Sequence, residues 1–175
     1  MTTFATKLIE TIEYKAQAIA EQWYKNVKMN PKTPVFHAMP QSKAMELALN
    51  FYSNFRKLFD TDKPFEEAHV LFSKFAEECY DERIPLPQAI YSLILMRRHM
   101  WLYVEYQAVF ETAVEQRHAL ESMSRMILMF DYAEYVVILT YDELIRKEIE
   151  EKFKSLKIKS PFFVLWPGGL GEKSK

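Results

Sequence analysis

The chain has 175 residues, of which 49% are hydrophobic, 15% aromatic and 27% charged. A chain of this length buries one hydrophobic core, and its apolar content excludes a disordered protein. The formal net charge is −1, from 23 basic and 24 acidic residues, so no global field gathers phosphates. We therefore expect a single folded domain that does not bind nucleic acid.

Several features of the sequence indicate a cytoplasmic protein. Cys79 is the only cysteine, so no intrachain disulfide can form, as expected in a reducing compartment. Residues 1–10 lack the basic start and unbroken apolar stretch of a signal peptide. The most apolar stretches, 89–96 and 126–141, are followed or interrupted by charged residues, and a membrane span needs roughly 20 nearly uncharged ones. We expect no transmembrane segment.

Prolines mark the boundaries of the predicted elements in the first half of the chain, and between them the apolar residues recur at helical spacing. The first helix is predicted over 3–29, and the segment 35–39 that follows the next two prolines is expected to be extended. Further helices are predicted from Pro40, from Asp62 and from the segment 84–87. No segment has the pattern of a strand.

The second half of the chain has no proline or glycine between Gln88 and Ser160. This predicts one or two further long helices, with a break at about 106–112 where the fourth helix turns back. All three glycines lie in the tail 160–175. The predicted fold is all-α: a compact bundle of five to six helices over 1–159, ending in a long helix, and then an irregular apolar tail over 160–175.

The tail carries a cluster of large apolar side chains, at Phe162, Phe163, Leu165 and Trp166. Such a cluster is unfavourable in water, so it is expected to be covered. Docking on the domain itself or dimerisation is the leading interpretation. Capture by a partner protein and insertion into a membrane interface remain alternatives.

A charged cluster is the main candidate site. Arg97 lies on an otherwise apolar stripe of the fourth helix, where an unpaired guanidinium would be costly. The expected partners are Asp131 and Glu134, which interrupt the other very apolar helix. A buried ion pair that fixes helix register is one interpretation. The other is a site for an anion or small polar ligand, with Arg97 or Arg98 as the donor.

No catalytic motif or metal-binding motif is present in the sequence, which favours a non-catalytic protein without a metal. His99 is the candidate ligand if the chain binds haem, because apolar helical bundles rich in aromatic residues can form haem pockets. An enzyme with an unrecognised site at Arg97, Arg98, His99, Asp131 and Glu134 is a third possibility.

Four segments together resemble one known family. They are WYKNVK at 23–28, NPKTPVFHAMP at 30–40, IPLPQAIYSLILMRRHMW at 84–101 and FDYA at 130–133. In order and spacing they are similar to the RsbRD-type N-terminal domain of RsbT co-antagonist proteins and histidine kinases. The resemblance spans about residues 5 to 150.

The resemblance implies a helical input domain of bacterial signal transduction that is non-catalytic and often dimeric. By analogy with related stressosome input domains, it also implies a globin-like arrangement without haem. The residues of this chain that match the family pattern are Pro85, Leu86, Arg97, Arg98, His99, Trp101 and Asp131. The leading prediction is therefore a sensory or regulatory domain, with a role in stress response, that binds a small ligand or a signalling protein as a homodimer. The alternative is a haem-dependent gas or redox sensor.

Overall fold

A computed structural model describes residues 3–59, 61–106 and 113–159. The described residues form seven α-helices and one short 3-10 helix, and they contain no strand. In chain order the α-helices are α1 (Thr3–Tyr14), α2 (Ala16–Met29), α3 (Val35–Ala38), α4 (Gln41–Asn54), α5 (Pro64–Asp81), α6 (Leu86–Tyr106) and α7 (Ala113–Lys159), and the 3-10 helix, Phe55–Leu58, follows α4. The predicted all-α class is confirmed.

The chain divides into two units, Met1–Tyr141 and Asp142–Lys175. The first unit holds α1 to α6 and the first part of α7, and it contains the hydrophobic core. In the second unit the described residues are 142–159, which form the last part of α7. The predicted boundary between domain and tail at 159/160 stays a prediction, since residues 160–175 lie outside the described part of the chain.

Helix α2 lies at the centre of the first unit, where it packs against α4 and α6. Its buried face includes Trp23, which is fully enclosed and packs edge-on against Phe36 at 5.6 Å between ring centroids. The Trp23 Nε1–H donates a hydrogen bond of 3.0 Å to the backbone oxygen of Ser92 in α6. This bond satisfies the one polar group of a buried indole, so the contact fixes α2 against α6.

A cluster of phenylalanines joins α4, α5 and α7. Phe51 lies in the middle, and its ring centroid is between 5.7 and 6.4 Å from those of Phe72, Phe75 and Phe130. All four rings are almost completely buried. Tilted and edge-on arrangements at these distances are favourable, so the cluster holds α7 against the bundle at Phe130.

The end of α5 shows how the fold turns without glycine. Arg83 has a φ of 57°, the left-handed conformation that glycine usually takes after a helix. Its N–H donates to the carbonyl oxygen of Tyr80, and the Ile84 N–H donates to that of Cys79, both at 2.9 Å. These are the two bonds of a Schellman motif, and they satisfy carbonyls at the end of α5.

Three details of the predicted helices are corrected. The helix predicted over 3–29 is interrupted at Lys15, where ψ is 13°. Most of the segment predicted to be extended forms α3, in which the backbone N–H groups of Phe36 and His37 donate to the carbonyls of Thr33 and Pro34, both at 3.1 Å. Met39, which follows α3, is extended as predicted. These changes raise the expected five to six helices to seven α-helices in the described residues. Helix α6 is described as far as Tyr106, and the predicted break at 106–112 stays a prediction because residues 107–112 lie outside the described residues.

Candidate functional site

The predicted contact between the two most apolar helices is present. Arg97 Nη1 of α6 lies 3.5 Å from Asp131 Oδ1 of α7. The same guanidinium lies over the Phe130 ring, 5.7 Å from its centroid. Stacking on an aromatic face is a favourable position for an arginine, so Phe130 and Asp131 together hold the Arg97 side chain.

The pair is not buried, and this corrects the expectation that Arg97 lies inside the bundle. The Arg97 side chain is 28% exposed and that of Asp131 is 62% exposed. On the apolar stripe of α6, Leu93, Met100 and Val104 are fully buried. The Arg97 guanidinium lies over Phe130 at the edge of this buried region and is partly exposed. An ion pair this exposed contributes little stability, so it is a weak device for fixing helix register.

Glu134 lies one turn further along α7 and belongs to the same cluster. Partial burial raises the pKa of its carboxyl, the nearby Arg97 guanidinium lowers it, and the Asp131 carboxylate raises it. Both predicted acidic partners therefore lie within electrostatic reach of Arg97.

The cluster does not extend to the other two predicted site residues. Arg98 is exposed, and the sole described electrostatic influence on His99 comes from Arg98. His99 is half-buried, and its Nε2 atom is buried without a hydrogen-bond partner among the described residues. Burial lowers the pKa of the imidazole, and the Arg98 charge lowers it further, which favours the neutral ring. A neutral ring with an unpaired nitrogen is the form that binds metals.

A row of exposed apolar side chains on α7 adjoins the ion pair. In the first unit α7 buries the face that includes Phe130, Ala133 and Val137. Its opposite face exposes Leu128 by 59%, Tyr135 by 56%, Ile138 by 47% and Leu139 by 38%. Asp131 lies between Leu128 and Tyr135 at helical spacing. We call the residues Leu128, Asp131, Tyr135, Ile138 and Leu139 the α7 surface.

A cavity of about 270 Å³ opens beside the α7 surface. It lies where the 3-10 helix and the start of α5 meet α7, and Leu128 contributes to both the cavity and the α7 surface. Phe65 on its wall packs edge-on against Tyr132 at 5.2 Å between centroids. The residues that line it are Leu58, Phe59, Thr61, Pro64, Phe65, Arg125, Leu128 and Met129. The site therefore combines an apolar surface, an apolar recess and an ion pair at the edge.

Two further cavities, of about 170 and 200 Å³, adjoin each other between α4 and α5. They share Leu47, Asn50 and Glu78. The Asn50 amide donates to Glu78 Oε1 at 3.3 Å, so part of their polar lining is already paired. None of the residues predicted for the site lines these cavities.

The described residues contain no group of three or more histidine, cysteine, aspartate or glutamate side chains arranged to hold a metal ion. None of the helices in the described ranges combines the length and hydropathy that a membrane span requires. The predicted apolar cluster of the tail, at Phe162, Phe163, Leu165 and Trp166, lies outside the described residues and stays a prediction.

The α7 surface was not predicted from the sequence, in which the stretch 126–141 was described only as a very apolar helix interrupted by Asp131 and Glu134. The sequence feature that indicates this surface is how far the apolar residues of the stretch extend around the helix. Apolar residues occupy both faces of α7 there, and a helix at the edge of a bundle buries only one face. Once Phe130 and Val137 are assigned to the core, Leu128 and Tyr135 must point away from it.

Comparison with protein-family models, with curated proteins and with solved structures finds no match. The resemblance to the RsbRD-type domain therefore has no support beyond the four motifs quoted above.

Proposed function

We propose that this chain is a non-catalytic regulatory domain that binds another protein through the α7 surface. The observation that carries the proposal is the row of four large apolar side chains on a helix whose opposite face is buried. Monomeric proteins seldom expose contiguous apolar residues of this size, and such patches mark interaction sites. The family resemblance, which implies an input domain of bacterial signal transduction, supports the same class of function.

The geometry of the site fits a protein partner better than a small polar ligand. Apolar residues form the middle of the α7 surface, and Arg97, Asp131 and Glu134 provide charge within it and at its border. Protein interfaces have this arrangement, with an apolar centre and a polar rim. The adjoining cavity of about 270 Å³ accepts one apolar side chain of the partner, a common form of anchor. The partner is expected to be a signalling protein with an apolar helix or loop.

The test uses a photo-reactive phenylalanine analogue placed at position 135, followed by irradiation of cells that produce the full chain. We expect a discrete cross-linked product of higher mass from position 135. The matched control places the same group at position 14, because Tyr14 is 83% exposed and lies on α1. The same products from both positions, or no product from position 135, would overturn the proposal.

We also propose that the domain works as a homodimer. In the second unit α7 exposes Ile145, Ile149, Phe153 and Leu156 by 43% to 64%. Side chains of this kind at helical spacing are typical of helices that pair with another helix.

Haem binding is a second candidate function, and the unpaired Nε2 of His99 is the observation that favours it. His99 would be the iron ligand, and the bound haem would supply gas binding or electron transfer. Adding haemin to the purified protein should then give a Soret band that shifts relative to free haemin. The band should be lost in His99→Ala and retained in the control His37→Ala, since His37 lies on α3. A spectrum of free haemin in the unmodified protein removes this candidate.

A further inference from the structure

The last part of α7 has an apolar row but no described residues of its own unit against which to pack it. The described residues of the second unit, 142–159, form one helical segment. Internal ion pairs support it, with Arg146 Nη2 at 2.5 Å from Asp142 Oδ2 and Lys152 Nζ at 2.7 Å from Glu148 Oε1. Such pairs stabilise a helix only slightly, and a single helix of this length is marginal in water. Ile145, Ile149, Phe153 and Leu156 therefore need a cover.

The charges of this segment are divided unequally along its length. Residues 142–151 include five acidic and two basic residues, whereas residues 152–159 include four basic residues and no acidic one. One end of the segment is thus negative and the other positive. A second copy laid alongside in the opposite direction brings each negative end next to a positive end.

A parallel pair in register has the opposite consequence. In a pair of helices, residues at seven-residue spacing contact the partner helix along two parallel lines. The first line contains Asp142, Ile149 and Leu156, and the second contains Ile145 and Lys152. A parallel pair places Asp142 against its own copy and Lys152 against its own copy. Like charges directly opposed in a helix interface are unfavourable, so this charge pattern disfavours the parallel pair.

The antiparallel arrangement removes both clashes. With Ile145 of one copy beside Leu156 of the second copy, Ile149 lies beside Lys152, whose aliphatic stem covers it. The two Ile149 side chains then lie within about one helical turn of each other. The apolar row is continuous across the pair, and Asp142 lies at the basic end of the second copy.

We propose that residues 142–159 pair in antiparallel orientation with the same residues of a second copy of this chain. This inference deepens the homodimer part of the proposed function and rests on it. It does not depend on the α7 surface, which belongs to the first unit.

Disulfide cross-linking between full-length variants tests the orientation. Ile145→Cys and Leu156→Cys are produced separately, one of them with a size tag, and are oxidised mildly either alone or mixed. The native Cys79 does not interfere, because it is fully buried and burial raises the pKa of its thiol. The unmodified chain is the control for this assumption.

The antiparallel pair predicts a mixed disulfide between Ile145→Cys and Leu156→Cys, and little disulfide in either variant alone. Positions 145 and 156 are eleven residues apart along the helix. In the antiparallel pair, position 145 of one copy therefore lies ~16 Å along the helix axis from position 145 of the other copy, and the same holds for position 156. A dominant disulfide in Ile145→Cys alone means a parallel dimer, which overturns the orientation but leaves the homodimer intact. No disulfide, together with a monomer in sedimentation at every concentration, overturns both.

A charge-reversal pair of variants gives an independent readout. Lys152→Glu combined with Lys154→Glu cancels the net positive charge of residues 152–159, and it should weaken dimerisation by roughly tenfold or more in sedimentation equilibrium. Both lysines are exposed, so the fold of the first unit is unaffected. Lys25→Glu on α2, also exposed, is the matched control and should leave the dimer unchanged. Equal dimerisation in all of these variants contradicts the inference.

Discussion

Arg97 has two kinds of contact, and they differ in strength. Its guanidinium lies over Phe130 and reaches Asp131 at 3.5 Å, while the Asp131 carboxylate is mostly in water. The Coulomb attraction across such a pair is screened by solvent, so the ion pair is weak. The position of the guanidinium over the buried Phe130 ring depends less on the solvent. The charges at this position are thus better suited to contacting a partner than to holding the bundle together.

A double-mutant cycle on Arg97 and Asp131 measures this directly. We expect Arg97→Ala and Asp131→Ala each to lower the free energy of unfolding by less than about 1 kcal/mol, with a coupling energy of at most a few tenths. Urea denaturation of the two single variants and the double variant supplies the values. A coupling energy well above 1 kcal/mol would show that the pair is a structural element of the bundle.

The sequence predicted the identity of this contact but not its burial. The position of Arg97 among apolar residues of α6 and the carboxylate of Asp131 in the apolar stretch of α7 were enough to match the two helices. Burial depends on where the edge of the bundle falls, which is a property of all the packed helices. His99 shows the same limit, because the residues around a side chain from other helices are not visible in one helix's periodicity.

At the level of elements, α7 changes its environment at Tyr141. From Met126 to Tyr141 one face of the helix is buried, and Tyr141 is the last core residue among those that the structure describes. Its hydroxyl donates a hydrogen bond of 2.9 Å to the backbone oxygen of Ile84, in the connection before α6. Its ring also packs edge-on against Tyr80 at 5.6 Å. These contacts attach α7 to the rest of the first unit at its last buried turn.

Removing that hydroxyl should weaken the attachment. Tyr141→Phe leaves the buried Ile84 carbonyl without this donor, so we expect the free energy of unfolding to fall by about 1 kcal/mol, with the helix content unchanged. Tyr135→Phe is the matched control on the same helix, because Tyr135 is exposed, and it should have no measurable effect. Equal stability of the two variants would mean that the Tyr141 hydrogen bond does not contribute.

Helical periodicity and the prolines located most elements, but two features were not visible in the sequence pattern. The interruption at Lys15 divides an otherwise continuous apolar stripe without any proline or glycine. Helix α3 has four residues, which is shorter than the window over which a helical period can be recognised.

At the level of the whole molecule, the core and the surface proposed for binding lie on different faces of α7 in the described part of the chain. The first unit derives its stability from α2 and the phenylalanine cluster, on the buried side of the bundle. The apolar side chains that the core leaves exposed on α7 lie on the opposite face of that helix, so we expect substitutions there to change the proposed binding without unfolding the protein. This separation is what makes the proposed function testable by single substitutions.

The most direct measurement is the cross-linking yield from position 135 in the presence of Ile138→Glu. Ile138 is 47% exposed and lies one turn from Tyr135 on the α7 surface, so a charge there should disrupt an apolar interface while leaving the melting temperature nearly unchanged. We expect the product from position 135 to be lost in this variant. An undiminished product, from a variant that is folded as well as the unmodified chain, would contradict it.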